Sequence, residues 1–319
     1  MQSRKEQIIE LWKTVFNDSD EFMRLYFEQV YKTGNAFVIE KNGRVISSLQ
    51  MHPYRMSFCG EDIPVGYISG ACTLPSERGK GWMSTLLQNT TAEMKRRNIP
   101  VAALIPAEEW LFDYYRSRGY TETFCYLPEI YVRSEDFVST PDGIVVRRER
   151  EPHGAFYDYF DRKLRERPLC ILHTYEDFAV ILQDLELSDG SFFVATHAGC
   201  PVGMAFVSPG EIDENTGEQS LLCKEILYND EDVKRHVLSA ITHQLHADKA
   251  VCRIPSAGCL PTHPYGMAKV IDPEPLIGLW MAAHPGSTLS GTDLKRMDRR
   301  RLTHLLFNYP EACMSLMLD

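Results

Sequence analysis

The segment from residue 65 to residue 105 constrains the fold more tightly than any other part of the chain. It opens with Val65–Leu74, where β-forming residues recur at alternate positions. Apolar residues then recur at helical spacing over 83–94, Asn98 offers a helix stop, and Val101–Ile105 is a short apolar run. Two strands joined through a helix pair in parallel with a right-handed crossover. We therefore expect an α/β fold with a mixed sheet.

The turn between the first strand and the helix favours an anion. Gly79 and Gly81 allow a tight turn, and Arg78 and Lys80 add positive charge. The unpaired N–H groups of a helix start attract phosphate groups. We predict that a pyrophosphate binds here. The alternative is a basic surface turn that caps an ordinary helix.

Two common phosphate-binding motifs do not fit this turn. A P-loop requires Ser or Thr after its lysine, but Gly81 follows Lys80. A dinucleotide fingerprint requires a third glycine, where this chain has Ser84. The remaining pattern, Arg78-Gly-Lys-Gly-Trp-Met83, resembles the acyl-CoA loop of the GNAT acetyltransferases at two of its three key positions. Met83 replaces the usual final small residue.

A second segment also resembles this family. Residues 110–120 contain an aromatic residue and Tyr115, followed after three residues by Gly119 and Tyr120, like the helix-turn signature of GNAT enzymes. The resemblance implies that Tyr115 lies beside the CoA sulfur and protonates the departing thiolate as general acid. A tyrosine suits this role because its hydroxyl stays protonated at neutral pH. The alternative is that these tyrosines only pack in the core.

The resemblance implies acetyl-CoA as co-substrate. Backbone groups of one strand end would pair with the pantetheine arm, and N–H groups of the glycine turn would bind the pyrophosphate. The expected acetyl-CoA-binding residues are Cys72, Thr73, Leu74, Arg78, Gly79, Lys80, Gly81, Trp82, Met83 and Ser84.

The residues before this segment follow the GNAT order of elements. Amphipathic helices are predicted over 4–16 and 20–31, and Asn42-Gly43 predicts a hairpin between two apolar runs. A third strand is predicted over 54–59. The resemblance covers 1–135, which we assign as the catalytic domain.

After a linker at 134–143, a similar pattern begins again, which indicates a second GNAT-like domain over 140–255. Its strand-to-helix turn carries Asp230, Glu231 and Asp232 and would repel a pyrophosphate. We predict that this copy is structural or shapes the acceptor pocket. The fold class is thus α/β, with two tandem GNAT-like folds and a small C-terminal α/β segment.

Residues 256–319 are similar to the C-terminal region of the enhanced-intracellular-survival acetyltransferases, as a shortened sterol-carrier-like segment. In that group the terminal carboxylate occupies the active site, which implies Asp319 as a second catalytic residue. The alternative is a frayed chain end. Glu108, Glu109 and His52 are further candidates for the general base.

Composition limits the partners. The 319 residues carry a net charge of −10, which disfavours nucleic acid and favours a cationic acceptor. No apolar run approaches the 18 residues of a membrane span and no apolar signal region opens the chain, so we expect a cytoplasmic protein. The nine cysteines include no Cys-x-x-Cys pair and indicate reduced thiols, and we expect no metal site.

The predicted function is transfer of the acetyl group of acetyl-CoA to a primary amine by direct attack. The alternative is a non-catalytic acyl-CoA-binding or scaffolding module. The acceptor, a small molecule or a peptide amine, stays open, as does assembly into a homo-oligomer.

Overall fold

The structure, a computed structural model, describes residues 2–133, 143–214, 216–256 and 262–318. Its first elements are α1 (Arg4–Val15), α2 (Asp20–Leu25), β1 (Ala36–Lys41), β2 (Arg44–Phe58), β3 (Glu61–Thr73), α3 (Trp82–Arg96), β4 (Val101–Leu104), α4 (Glu109–Arg116) and β5 (Thr121–Val132). The next are β6 (Ile144–Glu149), α5 (Gly154–Arg165), β7 (Ile171–Leu172), α6 (Tyr175–Leu187), β8 (Ser191–His197), β9 (Cys200–Ile212), β10 (Gln219–Tyr228), α7 (Glu231–Gln244) and β11 (Lys249–Pro255). The last are β12 (His263–Val270), α8 (Pro273–Ala283), α9 (Gly291–Arg296) and α10 (Arg299–Leu306).

One mixed sheet runs through the described residues. Its strands lie in the order β1-β2-β3-β4-β12-β5-β11-β10-β9-β8-β6, and β7 pairs with β2. The pairs β3–β4 and β10–β11 are parallel, each joined through a helix, as the strand-helix-strand pattern predicts. We call β1–β4 with α1–α4 the N-lobe, and β6 and β8–β11 with α5–α7 the C-lobe.

Two strands link the lobes. β5 pairs with β12 over 121–126 and with β11 over 126–132. β12 lies between β4 and β5, antiparallel to both, although it follows the whole C-lobe in sequence. The C-terminal segment therefore completes the sheet of the N-lobe. The domain boundaries near residues 135 and 255 stay predictions.

Both faces of the N-lobe sheet are buried. On one face, α8 and α10 contribute Trp280 and Leu306 to a cluster with Phe58 and Val101. On the other face, α3 and α4 pack against β2–β4 through residues that include Leu86 and Tyr115. This packing buries the two parallel strands of the N-lobe between helices on both faces.

Three local predictions differ from the structure. Of the helix predicted over 20–31, only Asp20–Leu25 is α-helical, and Tyr26–Val30 forms a π-helix. The second apolar run of the predicted hairpin and the strand predicted over 54–59 form one continuous strand, β2. Pro53 is opposite Gly66 of β3 on one side of the strand. On the other side, β2 pairs with β1 only as far as Gln50 and with β7 only from Arg55, so a proline without an N–H is tolerated between them. β3 begins at Glu61, four residues before the predicted start. The predicted helix stop at Asn98 is confirmed by its positive φ of 56°.

The described cysteines lie mostly in the interior. Six of the eight described cysteines are buried, and none of those eight forms a disulfide. Among the described residues, no helix has both the length and the apolar character needed to cross a membrane.

Candidate active site

The parallel strands β3 and β4 separate near the middle of the N-lobe sheet. Val65–Tyr67 pair with Val101–Ala103, after which β4 ends and β3 continues to Thr73 without a further pair to β4 in the described residues. The register of β3 against β2 shifts near Gly70, which has a φ of 57°. A Cβ at this glycine would lie 2.1 Å from the ring of Trp12. This bulge bends β3 away from β4 and leaves backbone groups of β3 available to a ligand.

A cavity of about 550 Å³ occupies this gap. Residues 67–71 of β3 line it on one side, and residues 105–107, after β4, line it on the other. Tyr115 also lines it, as does Leu318 from the end of the chain. We call this cavity the N-lobe wedge.

The turn before α3 is open, as its glycines predict. Gly79 and Gly81 have positive φ values of 75° and 83°, and nothing lies within 4 Å of a Cβ at either position. Gly81 is the N-cap of α3, and no side chain in the described residues caps this helix start. The N–H groups here can therefore meet an anion.

Glu77 organises this turn, although the motif gave it no role. Its carboxylate accepts hydrogen bonds from Lys80 and Lys41 at 3.0 Å each and from the indole of Trp82 at 3.2 Å. The hydrogen bonds from Lys80, Lys41 and Trp82, in that order of effect, lower the pKa of Glu77 to about 2. Lys80 is thus already paired, whereas the guanidinium of Arg78 contacts only the carbonyl of Thr73, at 3.3 Å, among the described residues.

A further cation stands beside the start of α3. Arg118 donates from Nε and Nη2 to Oγ of Ser84, the third residue of α3, at 3.0 and 2.7 Å. Its guanidinium lies 3.4 Å from the ring centroid of Tyr114. The GNAT signature does not specify this position, so the sequence carried no signal for it.

Tyr115 has the environment of a proton donor. It is 7% exposed and packs edge-on against Tyr114 and Tyr120. Burial, with a smaller contribution from Tyr114, raises the pKa of Tyr115 to about 12, so its hydroxyl is protonated at neutral pH. No described residue makes a recorded hydrogen bond to that hydroxyl, which therefore can donate to a ligand in the wedge.

A chain of neutral polar groups leads away from the other side of the wedge. The hydroxyl of Tyr26 lies 3.3 Å from Oγ of Ser69, a residue of the wedge, and 2.7 Å from Nε2 of buried His52. Burial lowers the pKa of His52 to about 4, so this imidazole is neutral at pH 7. His52 lines a neighbouring cavity, which Leu318 also lines.

The remaining candidate bases are placed differently. Glu108 and Glu109 are exposed at the start of α4 and do not line the wedge among its described lining residues. Asp319 lies outside the described residues, and Leu318 before it is in the wedge.

The C-lobe contains a similar gap with different contents. β10 and β11 pair over Ser220–Cys223 and Lys249–Cys252 and then separate. Glu225, just past that point, is held by Arg167 at 2.7 and 2.8 Å and by Oγ of Ser315 at 2.7 Å. We call this gap the C-lobe wedge; residues 313–317 line it.

Residues 2–123 match the family model of the acetyltransferase (GNAT) domain. A search of curated proteins finds no match to the sequence.

Among solved structures, the fold is similar to a GCN5-related N-acetyltransferase from Anabaena variabilis, with TM-score 0.68 and 17% identity over 85% of this chain and 71% of that chain. It is also similar to Eis1 from Mycobacterium abscessus, with TM-score 0.64 and 14% identity over 88% and 74% of the two chains. A probable N-acyltransferase from Enterococcus faecalis aligns with TM-score 0.66 and 15% identity over 84% and 70%. Identities this low show a shared fold, and the expected tandem arrangement of two such folds is confirmed.

Proposed function

We propose that the protein transfers an acetyl group from acetyl-CoA to a primary amine, because residues 2–123 match the model of the acetyltransferase (GNAT) domain. One observation carries this proposal: Tyr115, buried and protonated, lines the gap left by two separating parallel strands. The match of residues 2–123 to this domain supports acyl transfer in general. Acetyl-CoA, the amine and the role of each residue are proposals.

The residues present suit an acyl-CoA thioester. The wedge volume of about 550 Å³ falls within the usual range of ligand sites, roughly 300–1,000 Å³. Backbone groups of Cys72, Thr73 and Leu74 would pair with the pantetheine arm only where β2 leaves them available. The N–H of Leu74 already donates to the carbonyl of Ile46, and the carbonyl of Cys72 accepts from the hydroxyl of Ser47. The open turn from Arg78 to Ser84 would take the pyrophosphate on its N–H groups.

The chemical step needs one acid and one base. The amine nitrogen attacks the thioester carbonyl carbon, a C–N bond forms, and the C–S bond breaks. The departing thiolate takes the proton of the Tyr115 hydroxyl. The attacking nitrogen must release a proton in turn.

We propose Asp319 as the acceptor of that proton, because it follows Leu318, which lines the wedge. A carboxylate at this position is ionised at neutral pH. A second route would pass the proton along Ser69, Tyr26 and His52, which are linked by hydrogen bonds. The Tyr26 hydroxyl donates to Ser69 in this structure, so this route requires it to turn and donate to His52.

The test of the function is thiol release from acetyl-CoA with a panel of primary amines, together with calorimetric titration of CoA. Binding with amine-dependent thiol release supports the acetyltransferase. Binding without turnover of any amine favours the acyl-CoA-binding module, and absence of binding contradicts both.

Three variants separate the proton routes. Removing residues 318 and 319 should lower kcat by about a hundredfold, the scale of general-base catalysis. Leu318→Ala keeps Asp319 and measures the packing contribution alone. A fully active truncation combined with a slow Tyr26→Phe would assign the proton to the Ser69–Tyr26–His52 chain instead.

A further inference from the structure

The C-lobe wedge contains a cavity of about 230 Å³ that adjoins the N-lobe wedge. Tyr126 and Tyr265 line both cavities, and their rings meet edge to face with centroids 6.0 Å apart. The smaller volume lies below the roughly 300 Å³ at which ligand sites usually begin. It therefore suits a small group at one end of a molecule, not a nucleotide or a pantetheine arm.

This cavity has an excess of positive charge. Three cationic side chains line it (Arg167, Lys224 and Arg253), with two carboxylates, Asp184 and Glu225. Arg167 and Glu225 neutralise each other in a buried, two-pronged ion pair. Lys224 interacts electrostatically with Asp184, whose pKa is nevertheless raised because the carboxyl is buried. These contacts leave the charge of Arg253 without a counterpart.

Arg253 is the cation that faces the boundary between the cavities. Its Cζ lies 5.2 Å from the ring centroid of Tyr126 and 5.0 Å from that of Tyr265. In the described residues it makes no recorded ion pair. A guanidinium supported on its flat side by aromatic rings keeps its N–H edge available, and that edge matches the two oxygens of a carboxylate.

We infer that Arg253 binds a carboxylate of the acceptor, so that the acceptor is an amine that also carries a carboxylate, such as an amino acid. The amine would lie in the N-lobe wedge near Tyr115, and the carboxylate would reach past Tyr126 and Tyr265 into the C-lobe wedge. This inference rests on the proposed acetyl transfer. It also assigns the C-lobe a part in acceptor recognition, although the net charge of −10 by itself favours cations.

The test compares amines that differ only by a carboxylate. The pairs are 4-aminobutyrate with propylamine, 6-aminohexanoate with pentylamine, and L-lysine with cadaverine. We expect kcat/KM to be higher for the carboxylate-bearing partner of at least one pair by about tenfold or more, the scale of a charge-assisted hydrogen-bonded pair. In Arg253→Gln this ratio should fall to near one, and in Arg235→Gln, an exposed arginine of α7, it should be retained.

The outcomes separate the inference from the function on which it rests. Equal rates within every pair for the unmodified protein would overturn the inference and leave acetyl transfer intact. If no amine is acetylated, the proposed function is wrong, and calorimetry with 6-aminohexanoate in the presence of CoA decides the inference. Binding that Arg253→Gln abolishes would support the site, and absence of binding would overturn it. Propionate that binds as tightly as 6-aminohexanoate would show a site for free carboxylates and overturn the link to the acceptor.

Discussion

The two lobes contain the same kind of gap between parallel strands, but different side chains line the two gaps. The N-lobe wedge has one carboxylate, Asp18, among its described lining residues, and Tyr115 lines it as a neutral phenol. The neutral side chains of Tyr26 and His52 lie behind Ser69 of its lining. The C-lobe wedge holds the Arg167–Glu225 ion pair and residues 313–317. The comparison shows that topology creates the opening and that side chains decide what can occupy it.

The helices that start beside the two gaps differ in whether a side chain caps their first N–H groups. α3 begins at a glycine turn without a side-chain cap among the described residues. α7 begins at Asp230, whose carboxylate accepts the N–H of Val233 at 2.9 Å. The positive end of α7 is therefore satisfied by the chain itself, whereas that of α3 is available to a phosphate group.

The largest expected effect concerns the proton donor of the N-lobe wedge. Tyr115→Phe should lower kcat by about 10²- to 10⁴-fold, the usual contribution of a general acid, because the thiolate then leaves unprotonated. The calorimetric affinity for acetyl-CoA should stay nearly unchanged. Tyr120→Phe, a buried neighbour outside the described wedge lining, should retain activity. An unaltered rate in Tyr115→Phe would remove this residue from the mechanism.

The next effect concerns the ion pair of the C-lobe wedge. Glu225→Gln leaves the charge of Arg167 buried and unpaired and should reduce the free energy of unfolding by about 3–5 kcal/mol. Urea unfolding measures this loss. Asp232→Asn, which breaks the exposed pair with Arg235, should cost less than about 1 kcal/mol. Equal effects of the two variants would mean that the buried pair stabilises the protein no more than an exposed pair does.

A pH dependence tests the buried neutral imidazole of His52, next to the N-lobe wedge. Because burial lowers the pKa of His52 to about 4 from 6.5, the unfolded chain takes up the proton first as pH falls. The free energy of unfolding should therefore decrease between about pH 6.5 and pH 4, with at most about 3 kcal/mol from this group. Urea unfolding across this range should show a smaller decrease in His52→Gln than in the unmodified protein. His197→Gln, at an exposed position, should keep the full decrease. An equal slope in all three proteins would contradict a buried neutral His52.

The elements that local sequence determines were predictable. The alternating pattern of Val65–Leu74, the helical spacing after Met83 and the turn at Asn42-Gly43 depend on neighbours in the chain, and each element is present. The family signature likewise placed Tyr115 on a helix, and the structure puts it in the wedge.

The features that depend on distant pairings were not predictable. β12 completes the N-lobe sheet although more than 150 residues separate it from β4, and no local pattern states that partner. Glu77 and Arg118 acquire their roles from Lys41 and Ser84, which only the folded chain brings near them. The content of the C-lobe wedge likewise depends on Ser315 reaching Glu225 from the chain end.

The smallest expected effect tests the open helix start of the N-lobe. The double reversal Arg78→Glu, Lys80→Glu should raise the dissociation constant of CoA on the order of tenfold, about 1.4 kcal/mol, because charges beside a helix start contribute modestly and are screened by salt. The single neutralisation Arg78→Gln should weaken binding more than Lys80→Gln, since Lys80 already pairs with Glu77. The double variant Lys295→Glu, Arg296→Glu makes the same change of net charge on α9 and should leave calorimetric binding unchanged. If both double variants bind CoA equally well, the phosphate groups do not lie at the start of α3, and the contrast between the two helix starts has no functional meaning.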